Sequence, residues 1–274
     1  MPELPEVETI RRGLLVRLVG RQITAIRVRQ ALLREPVEVE TLQTQVVGSI
    51  IAGIDRRAKY LLARLSPDGI LVFHLGMTGR LWLGKPTAQD ALHDHLIFQL
   101  GPDLELRFQD IRRFGMCFYT TGKEVPEHPR FRHLGPEPLS ADFSGAYLQA
   151  RARGLWKPVK NFLMDGSIVV GVGNIYASEA LFQAKVHPNR EVGRLRKQHW
   201  ERICHATKEV LQAAIDAHGT SFSNYVDSEG RRGEFQNQLL VYGREGQACV
   251  RDGQPIKRIV QAGRSTFYCA RCQR

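Results

Sequence analysis

The first residues of the chain combine a rare type of nucleophile with two acids. Met1 is followed by Pro2 and Glu3, and Glu6 lies one helical turn further on. Once Met1 is removed, Pro2 carries a secondary α-amine; an α-amine has a pKa of about 8, so more of it is free base at neutral pH than of a lysine. Such an amine can attack a sugar carbon and form an iminium ion while a carboxyl group moves the proton. The residues alone favour a simpler alternative, a helix start that suits proline and acids.

A helix is predicted directly after these residues. Val7, Ile10, Leu14 and Leu18 recur at the spacing of one helix face. Gly20 is a suitable end for this helix. The possible nucleophile and its acids would therefore be held by the first turn of an N-terminal helix.

Short apolar runs separated by Gly, Pro and Asp follow this helix. They predict strands of an antiparallel β-sandwich or barrel at residues 23–28, 60–65, 70–75, 81–83, 96–100 and 104–108. The second half is helical in pattern, with a short helix at 174–183 and a longer helical face along Trp200, Ile203, Thr207, Val210 and Ala214.

The fold class is therefore α+β, with four predicted segments. Residues 1–130 form the β-sandwich domain, 131–145 a Pro- and Gly-rich linker, 146–238 a helical domain with a long polar loop at about 221–233, and 239–274 a C-terminal β-hairpin module.

Charge and cysteine content narrow the function classes. The net charge is +11 with an isoelectric point of about 9.7, which favours a polyanionic partner such as DNA, RNA or an acidic membrane. No apolar run is long enough to cross a membrane, and the acidic N-terminus is not a signal peptide. Five cysteines, an odd and clustered set, favour reduced thiols that could bind a metal ion over a disulfide framework, and they favour a cytoplasmic location.

Six separated segments resemble the formamidopyrimidine-DNA glycosylases, and the resemblance extends over the whole chain. They are MPELPEVET at the N-terminus, RRAKYLL at 56–62, HLGMTG at 74–79, RRFG at 112–115, LGPEPL at 134–139 and GVGNIYA at 171–177. The resemblance implies a DNA repair enzyme that excises oxidised purines such as 8-oxoguanine and formamidopyrimidines, and then cuts the strand by β,δ-elimination. It also implies duplex DNA as partner, a monomer, a helix–two-turns–helix domain and a zinc-finger-type hairpin.

Catalytic roles follow from the same resemblance. Pro2 would be the Schiff-base nucleophile at C1′ and Glu3 the proton donor, with Glu6 beside them. Lys59 would assist β-elimination and contact a phosphate. Arg264 matches the arginine assigned to δ-elimination, although a guanidinium is a poor proton donor and suits a phosphate clamp better.

Further residues match the family's DNA contacts. Met77, Arg112 and Phe114 correspond to the wedge that fills the gap left by a flipped base; without the motif, Met77 and Phe114 would be read as core residues. His93, Lys160 and Asn174 are expected to contact the DNA backbone. A metal at His93-Asp94-His95 is the weaker interpretation of that run. The segment 221–233 would close over the flipped base.

The C-terminal module departs from the family pattern at one position. The family has two Cys-x2-Cys pairs, whereas here Asp252 stands where the second cysteine should be, with Cys249, Cys269 and Cys272 retained. Zinc accepts carboxylate oxygen, so one structural zinc ion on these four residues is expected. The alternative is a metal-free hairpin held by packing around Ile256, Phe267 and Tyr268.

Two other functions remain open at this point. One is an endonuclease VIII-like glycosylase for oxidised pyrimidines, which Leu4 and the wedge disfavour. The other is a non-catalytic DNA-binding relative, which the intact Pro2, Glu3 and Lys59 disfavour.

Overall fold

The computed structural model describes residues 2–86, 89–220 and 233–274. The chain forms two compact units. Unit 1 comprises Met1–Arg132 and Ala217–Glu234, and unit 2 comprises His133–Asp216 and Phe235–Arg274. The four segment bounds expected from the sequence stay predictions.

Unit 1 consists of a long N-terminal helix, a second short helix and two four-stranded antiparallel sheets. The helices are α1 (Leu4–Leu18) and α2 (Val39–Gln45). The strands are β1 (Ala25–Val28), β2 (Ile50–Arg57), β3 (Tyr60–Ser66), β4 (Gly69–His74), β5 (Gly79–Gly84), β6 (Asp94–Gln99), β7 (Glu105–Asp110) and β8 (Met116–Thr120). One sheet has the order β1-β6-β7-β5 and the other the order β2-β3-β4-β8.

The two sheets share one apolar core, which makes unit 1 a sandwich. Phe73 of β4 packs edge-on against Phe98 of β6, with ring centroids 5.5 Å apart. The apolar stripe of α1 joins the same core through Val7, Ile10 and Leu14, which are almost fully buried. Burial of these large side chains, worth roughly 1.5–3 kcal/mol each, therefore holds the first turn of α1 on the sheets.

Unit 2 is helical with one β-hairpin. Its helices are α3 (Gly145–Arg151), α4 (Val159–Leu163), α5 (Asn174–Gln183) and α6 (Lys197–Asp216), with short 3₁₀ turns at Val192–Arg194 and Phe235–Gln238. The hairpin strands are β9 (Lys257–Gln261) and β10 (Arg264–Tyr268). Their two-residue turn has Ala262 and Gly263 at positive φ, as a tight hairpin of this kind requires.

The predicted fold class is confirmed, and α5 has the bounds expected from the sequence. Three elements of unit 1, α2, β2 and β8, were not predicted. In the described part of the chain, no helix has both the length and the apolar character needed to span a membrane.

Candidate functional site

The N-terminal corner of unit 1, which we define as Pro2, Glu3 and Glu6, is buried. Glu3 is the N-cap of α1 and forms a capping box: its carboxylate accepts the backbone N–H of Glu6, and Glu6 Oε2 accepts the backbone N–H of Glu3 at 2.8 Å. Only 3% of Glu3 and 2% of Glu6 are exposed. An ordinary helix start would leave such acids in solvent, so their burial beside Pro2 points to chemistry.

Glu6 also holds a second chain segment. Its other oxygen, Oε1, accepts the backbone N–H of Thr220 at 2.8 Å. Two residues that flank positions 221–232 also meet, since Glu234 N–H donates to the carbonyl of Ala217 at 3.0 Å. The predicted base-covering segment, apart from Gly233, lies outside the described residues.

Lys59 lies in the tight turn between β2 and β3. Arg57 pairs with Tyr60 across this hairpin, which leaves Ala58 and Lys59 as the two turn residues. Ala58 has a φ of 54°, a left-handed conformation that a non-glycine residue rarely adopts. The turn therefore fixes where the Lys59 side chain leaves the sheet.

Arg56 ties this turn to the N-terminal helix. Its Nε donates to Glu8 Oε2 at 3.2 Å, and its Nη1 donates to the carbonyl of Ala58 at 2.9 Å. Burial raises the pKa of Glu8, but hydrogen bonds from Arg11 and Arg12 and the Arg56 charge outweigh it, so the pKa lies below its usual value. An ionised Glu8 thus links α1 to the turn that carries Lys59.

His74 is a further polar group beside Lys59, although the sequence reasoning gave it no role. It pairs with Tyr60 across β3 and β4, with ring centroids 4.8 Å apart. Burial, followed by the charges of Lys59 and Arg34, lowers the pKa of His74 to about 4. Its Nδ1 accepts the Gly76 N–H at 3.1 Å, so the neutral ring carries its proton on Nε2 as a donor. Its place in the HLGMTG segment, at the end of a strand, was the available signal.

The three predicted wedge residues are exposed at two neighbouring turns. Met77 and Phe114 each have 43% of their surface accessible, which is high for such apolar side chains. The Arg112 guanidinium carbon lies 4.8 Å from the centre of the Phe114 ring. Core packing therefore does not explain Met77 and Phe114, and an apolar pair with an adjacent cation is available to a ligand.

Buried Asp110 organises these two turns. Its Oδ1 accepts the Thr78 hydroxyl at 2.5 Å, and its Oδ2 accepts the Gly115 N–H at 2.7 Å. Gly76 has a φ of +60°, and a Cβ there would lie 2.4 Å from the Phe114 carbonyl carbon. Only glycine allows the Met77 turn to approach Phe114 so closely.

His93 directly precedes β6 and is partly buried. Its ring is 6.2 Å from that of His95, but His95 Nε2 is hydrogen-bonded to the Asp110 carbonyl at 2.7 Å. Asp94 is paired with Arg107 at 3.0 Å. Among the described residues these three do not form a group that could hold a metal ion.

In unit 2, Lys160 and Asn174 are joined to the hairpin next to Arg264. Lys160 is 1% exposed, and its ammonium donates to Asn174 Oδ1 at 2.5 Å and to Thr266 Oγ1 at 2.6 Å. Asn174 donates through Nδ2 to the Ser265 carbonyl at 2.9 Å. Arg264 itself is exposed as the first residue of β10. The structure thus brings Lys160 and Asn174 together as a support for the strand that carries Arg264.

The four expected metal ligands lie together at the other end of the hairpin. One ligand atom from each of Cys249, Asp252, Cys269 and Cys272 falls within 4.8 Å of all the others. The Cys249–Cys272 Sγ distance is 3.8 Å, and Cys269 Sγ lies 3.3 Å from Asp252 Oδ2. A tetrahedral zinc with Zn–S bonds of about 2.3 Å requires S···S edges of about 3.8 Å, so the residues fit one structural zinc ion.

A buried carboxylate missed in the sequence holds the chain leading into this module. Glu179 on α5 is 2% exposed and accepts three successive backbone N–H groups at 2.8–3.0 Å, those of Leu240, Val241 and Tyr242. Its position in a helix with a short apolar pattern gave no signal of this role.

Family models cover most of the chain. Residues 1–117 match the formamidopyrimidine-DNA glycosylase N-terminal domain, 134–226 the H2TH domain of these glycosylases, and 246–274 the zinc finger found in FPG and IleRS. The last match agrees with the fit of the four ligands to zinc.

Full-length relatives carry the same description. The chain is 47% identical over 274 residues to the formamidopyrimidine-DNA glycosylase of Syntrophotalea carbinolica and 45% identical to that of Marinobacter nauticus, with all of each chain covered.

Solved structures of the Lactococcus lactis enzyme are similar in fold as well. A mutant in complex with Fapy-dG-containing DNA gives a TM-score of 0.93, and a complex with abasic DNA gives 0.92; each is 36% identical and covers 99% of both chains. A further complex of that enzyme holds DNA with an oxidised pyrimidine. By sequence, domain content and fold, the chain belongs to the formamidopyrimidine-DNA glycosylase family.

Proposed function

We propose that this chain excises oxidised purines, such as 8-oxoguanine and formamidopyrimidines, from duplex DNA and then cleaves the strand. The observation that carries the proposal is the burial of Glu3 and Glu6 in a capping box beside Pro2. Family membership and the DNA complexes of the Lactococcus lactis relative support the same activity.

The reaction begins with attack by the amine of mature Pro2 on C1′ of the damaged nucleotide. A new N–C1′ bond forms, and the C1′–base bond breaks with its electron pair leaving on the base. Glu3 supplies the proton that this step needs, since its carboxyl group lies on the first turn of α1 next to Pro2. The C1′–O4′ bond then breaks, its electron pair and a proton going to O4′, and the opened sugar is held as an iminium ion, the Schiff-base form of covalent catalysis.

Elimination follows because the iminium ion makes the hydrogens on the neighbouring C2′ acidic. Loss of a C2′ proton breaks the C3′–O3′ bond, and a second elimination breaks the C5′–O5′ bond, so both ends of the gap keep phosphates. Lys59 carries protons in this stage, because its turn is tied to α1 through Arg56 and Glu8. Neutral His74 adds a hydrogen-bond donor beside it.

DNA contacts come from both units. Met77 and Phe114 fill the space of the extruded base, and Arg112 pairs with the opposite base. His93 contributes in unit 1. In unit 2, Arg264 clamps a phosphate, with Lys160 and Asn174 supporting its strand. Zinc on Cys249, Asp252, Cys269 and Cys272 would supply structural cross-linking of the hairpin.

A cytoplasmic location is part of the proposal. It is supported by the DNA substrate and by the cysteines of the described residues, none of which forms a disulfide bond. Oxidised pyrimidines are a second candidate substrate class, favoured by the relative's complex with DNA of that type.

Borohydride trapping tests the proposed chemistry. Reduction of the iminium ion on an 8-oxoguanine:C duplex should yield a stable adduct, and peptide mass mapping should find it on the Pro2 nitrogen. A Pro2→Gly variant should lose most of the excision rate. Pro5→Ala, which removes a proline of the same turn but not the amine, should keep it. No adduct, or an adduct on a lysine, contradicts the proposal.

Substrate class is tested in the same assay. Excision from 8-oxoguanine:C duplexes should be faster than from thymine-glycol duplexes at equal enzyme concentration. Faster cleavage of thymine glycol would assign the chain to oxidised pyrimidines instead.

A further inference from the structure

A strongly basic pocket of about 420 Å³ lies within unit 2. Six of its lining residues are lysine or arginine, namely Lys185, Arg190, Arg202, Arg251, Arg271 and Arg274. His199 and Cys272 are the other lining residues in the described part of the chain, and none of these eight is Asp or Glu. Among the described residues, none of the six cations forms an ion pair with an acidic side chain.

The pocket is distinct from the candidate DNA contacts of the same unit. Lys185 follows the C-terminal end of α5, whereas Asn174 begins that ten-residue helix, about 15 Å away along its axis. Cys272 lies beyond the end of β10, whereas Arg264 begins that strand. The pocket therefore lies at the opposite ends of both elements from the groups assigned to DNA.

Two of the guanidinium groups are held in place. Arg251 donates through Nη1 to the Phe182 carbonyl at 2.8 Å, and its guanidinium carbon lies 4.3 Å from the centre of the Phe182 ring. Arg190 Nη1 lies 3.2 Å from His199 Nε2 and donates to the Arg274 backbone oxygen at 3.0 Å. Fixed donors of this kind lose little freedom when an anion binds.

Charge balance with the metal site does not explain the cluster. Zinc with three thiolates and one carboxylate would have a formal charge of −2, far less than the +6 of the six side chains. The pKa of His199 is lowered by burial and then by Arg190 and Arg202, as expected where positive charge is in excess.

We propose that this pocket binds a diphosphate group. Guanidinium forks pair with phosphate oxygens in two-point contacts, and a concave site with several of them suits linked phosphates better than a single one. Among the described lining residues His199 is the one with a ring, so recognition depends on the phosphates and not on stacking of a base. The group can come from inorganic pyrophosphate or from the diphosphate of a nucleotide such as ADP.

Calorimetric titration of the zinc-loaded full chain with pyrophosphate tests the proposal. We expect saturable one-to-one binding, tighter than for orthophosphate by about tenfold. The double variant Lys185→Gln/Arg202→Gln should weaken pyrophosphate binding by about tenfold or more, because two charged donors are lost. The charge-matched control Arg151→Gln/Arg153→Gln, changed at exposed residues outside the pocket, should stay within about twofold.

Several results would overturn this inference. One is the absence of saturable pyrophosphate binding, and another is equal weakening of binding in the two double variants. A third is a heat of titration that persists in Lys185→Gln/Arg202→Gln and is accompanied by release of zinc, because the pyrophosphate would then be extracting the metal. Competition by ADP supports a nucleotide source, whereas pyrophosphate binding without competition by ADP supports the free anion. Competition by a 5′-phosphorylated oligonucleotide as strong as that by ADP would mean that a single terminal phosphate suffices, and it would contradict the diphosphate assignment. The titration contains no lesion, so its outcome is independent of the excision assay.

Discussion

The N-terminal corner of unit 1 and the hairpin of unit 2 hold their candidate groups by different means. In the corner, the carboxylates of Glu3 and Glu6 accept backbone N–H groups and are almost fully buried. In the hairpin, exposed Arg264 depends on a two-residue turn, on the ammonium of Lys160 and on a four-residue metal site. The corner is thus formed by the folded chain alone, whereas the hairpin also relies on a metal ion.

The difference separates chemistry from positioning. A group that must donate a proton in a defined direction benefits from a rigid, buried environment. A group that only has to meet a phosphate tolerates exposure and can be supported by a replaceable ion. A substitution in the N-terminal corner should therefore change the rate of excision, whereas a substitution at the metal site of the hairpin should change zinc retention and the melting of unit 2.

Glu3→Gln should have the largest effect. Glutamine can still accept the Glu6 N–H but cannot supply a proton, so excision of 8-oxoguanine should fall about a thousandfold. Cleavage of a preformed abasic site, which needs the Pro2 amine but no departing base, should be reduced much less. Single-turnover rates on the two substrates measure the split, and equal losses on both would contradict the role given to Glu3.

His74 predicts how the stability of unit 1 depends on pH. Its pKa falls from 6.5 to about 4 on folding, so between these values the unfolded chain binds a proton that the folded chain does not. The free energy of unfolding should therefore decrease by about 3 kcal/mol as the pH falls through this window. When urea unfolding is measured from pH 7 to pH 4, the free energy of unfolding of His74→Gln should change less with pH than that of the parent protein.

The control for this prediction is His205→Gln, at an exposed position on α6. Because His205 lies in unit 2, this substitution should leave the pH dependence of unit 1 unchanged. A His74→Gln variant with the slope of the parent protein would show that the imidazole is not responsible.

Asp252 tests the metal dependence of the hairpin. Asp252→Ala removes one of four ligands, and zinc retention against a chelator should weaken by at least about tenfold, the lower end of the loss caused by removing a group that merely hydrogen-bonds to a ligand. Asp252→Cys should retain zinc more strongly than the natural residue. Melting of unit 2 should follow zinc content, and melting of unit 1 should not.

Asp165→Ala is the matched control in unit 2, because Asp165 pairs with Lys157 and lies outside the cluster. Zinc retention should be unaffected by it. Equal retention in Asp252→Ala and the parent protein would mean that the carboxylate is not a ligand.

The smallest effect is expected at the hairpin turn. Ala262 has a φ of 47°, which costs a non-glycine residue energy, so Ala262→Gly should stabilise unit 2 by about 0.5 kcal/mol. Ala150→Gly, at an exposed position of α3, should destabilise by a similar amount. Thermal melting should show a higher melting temperature of unit 2 for Ala262→Gly and a lower one for Ala150→Gly.

Much of the fold follows from patterns that the sequence displays. The apolar spacing of α1 and the bounds of α5 are local signals, and the structure agrees with both. β2 was missed because Gly53, Asp55 and Arg56 interrupt its apolar alternation. α2 was missed because it is seven residues long and buries only Leu42.

The candidate site was less accessible to sequence reasoning than the fold. Motifs identified Pro2, Glu3 and Lys59, but their roles stay predictions. The link from Arg56 to Glu8 joins positions 48 apart, and a pattern of local residues does not reveal such a contact. Nor does a sequence indicate that Asp110 is buried and holds two turns.

The hydrogen bonds that Glu6 accepts from Glu3 and from Thr220 have a kinetic consequence. Because one carboxylate accepts the N–H groups of both Glu3 and Thr220, displacement of Thr220 is transmitted to the residue next to Pro2. Thr220 directly precedes the segment 221–232, so changes in that segment should alter kcat as well as KM. The enzyme would then discriminate between bases by how fast the Pro2 amine is aligned for attack, in addition to how tightly each base is bound.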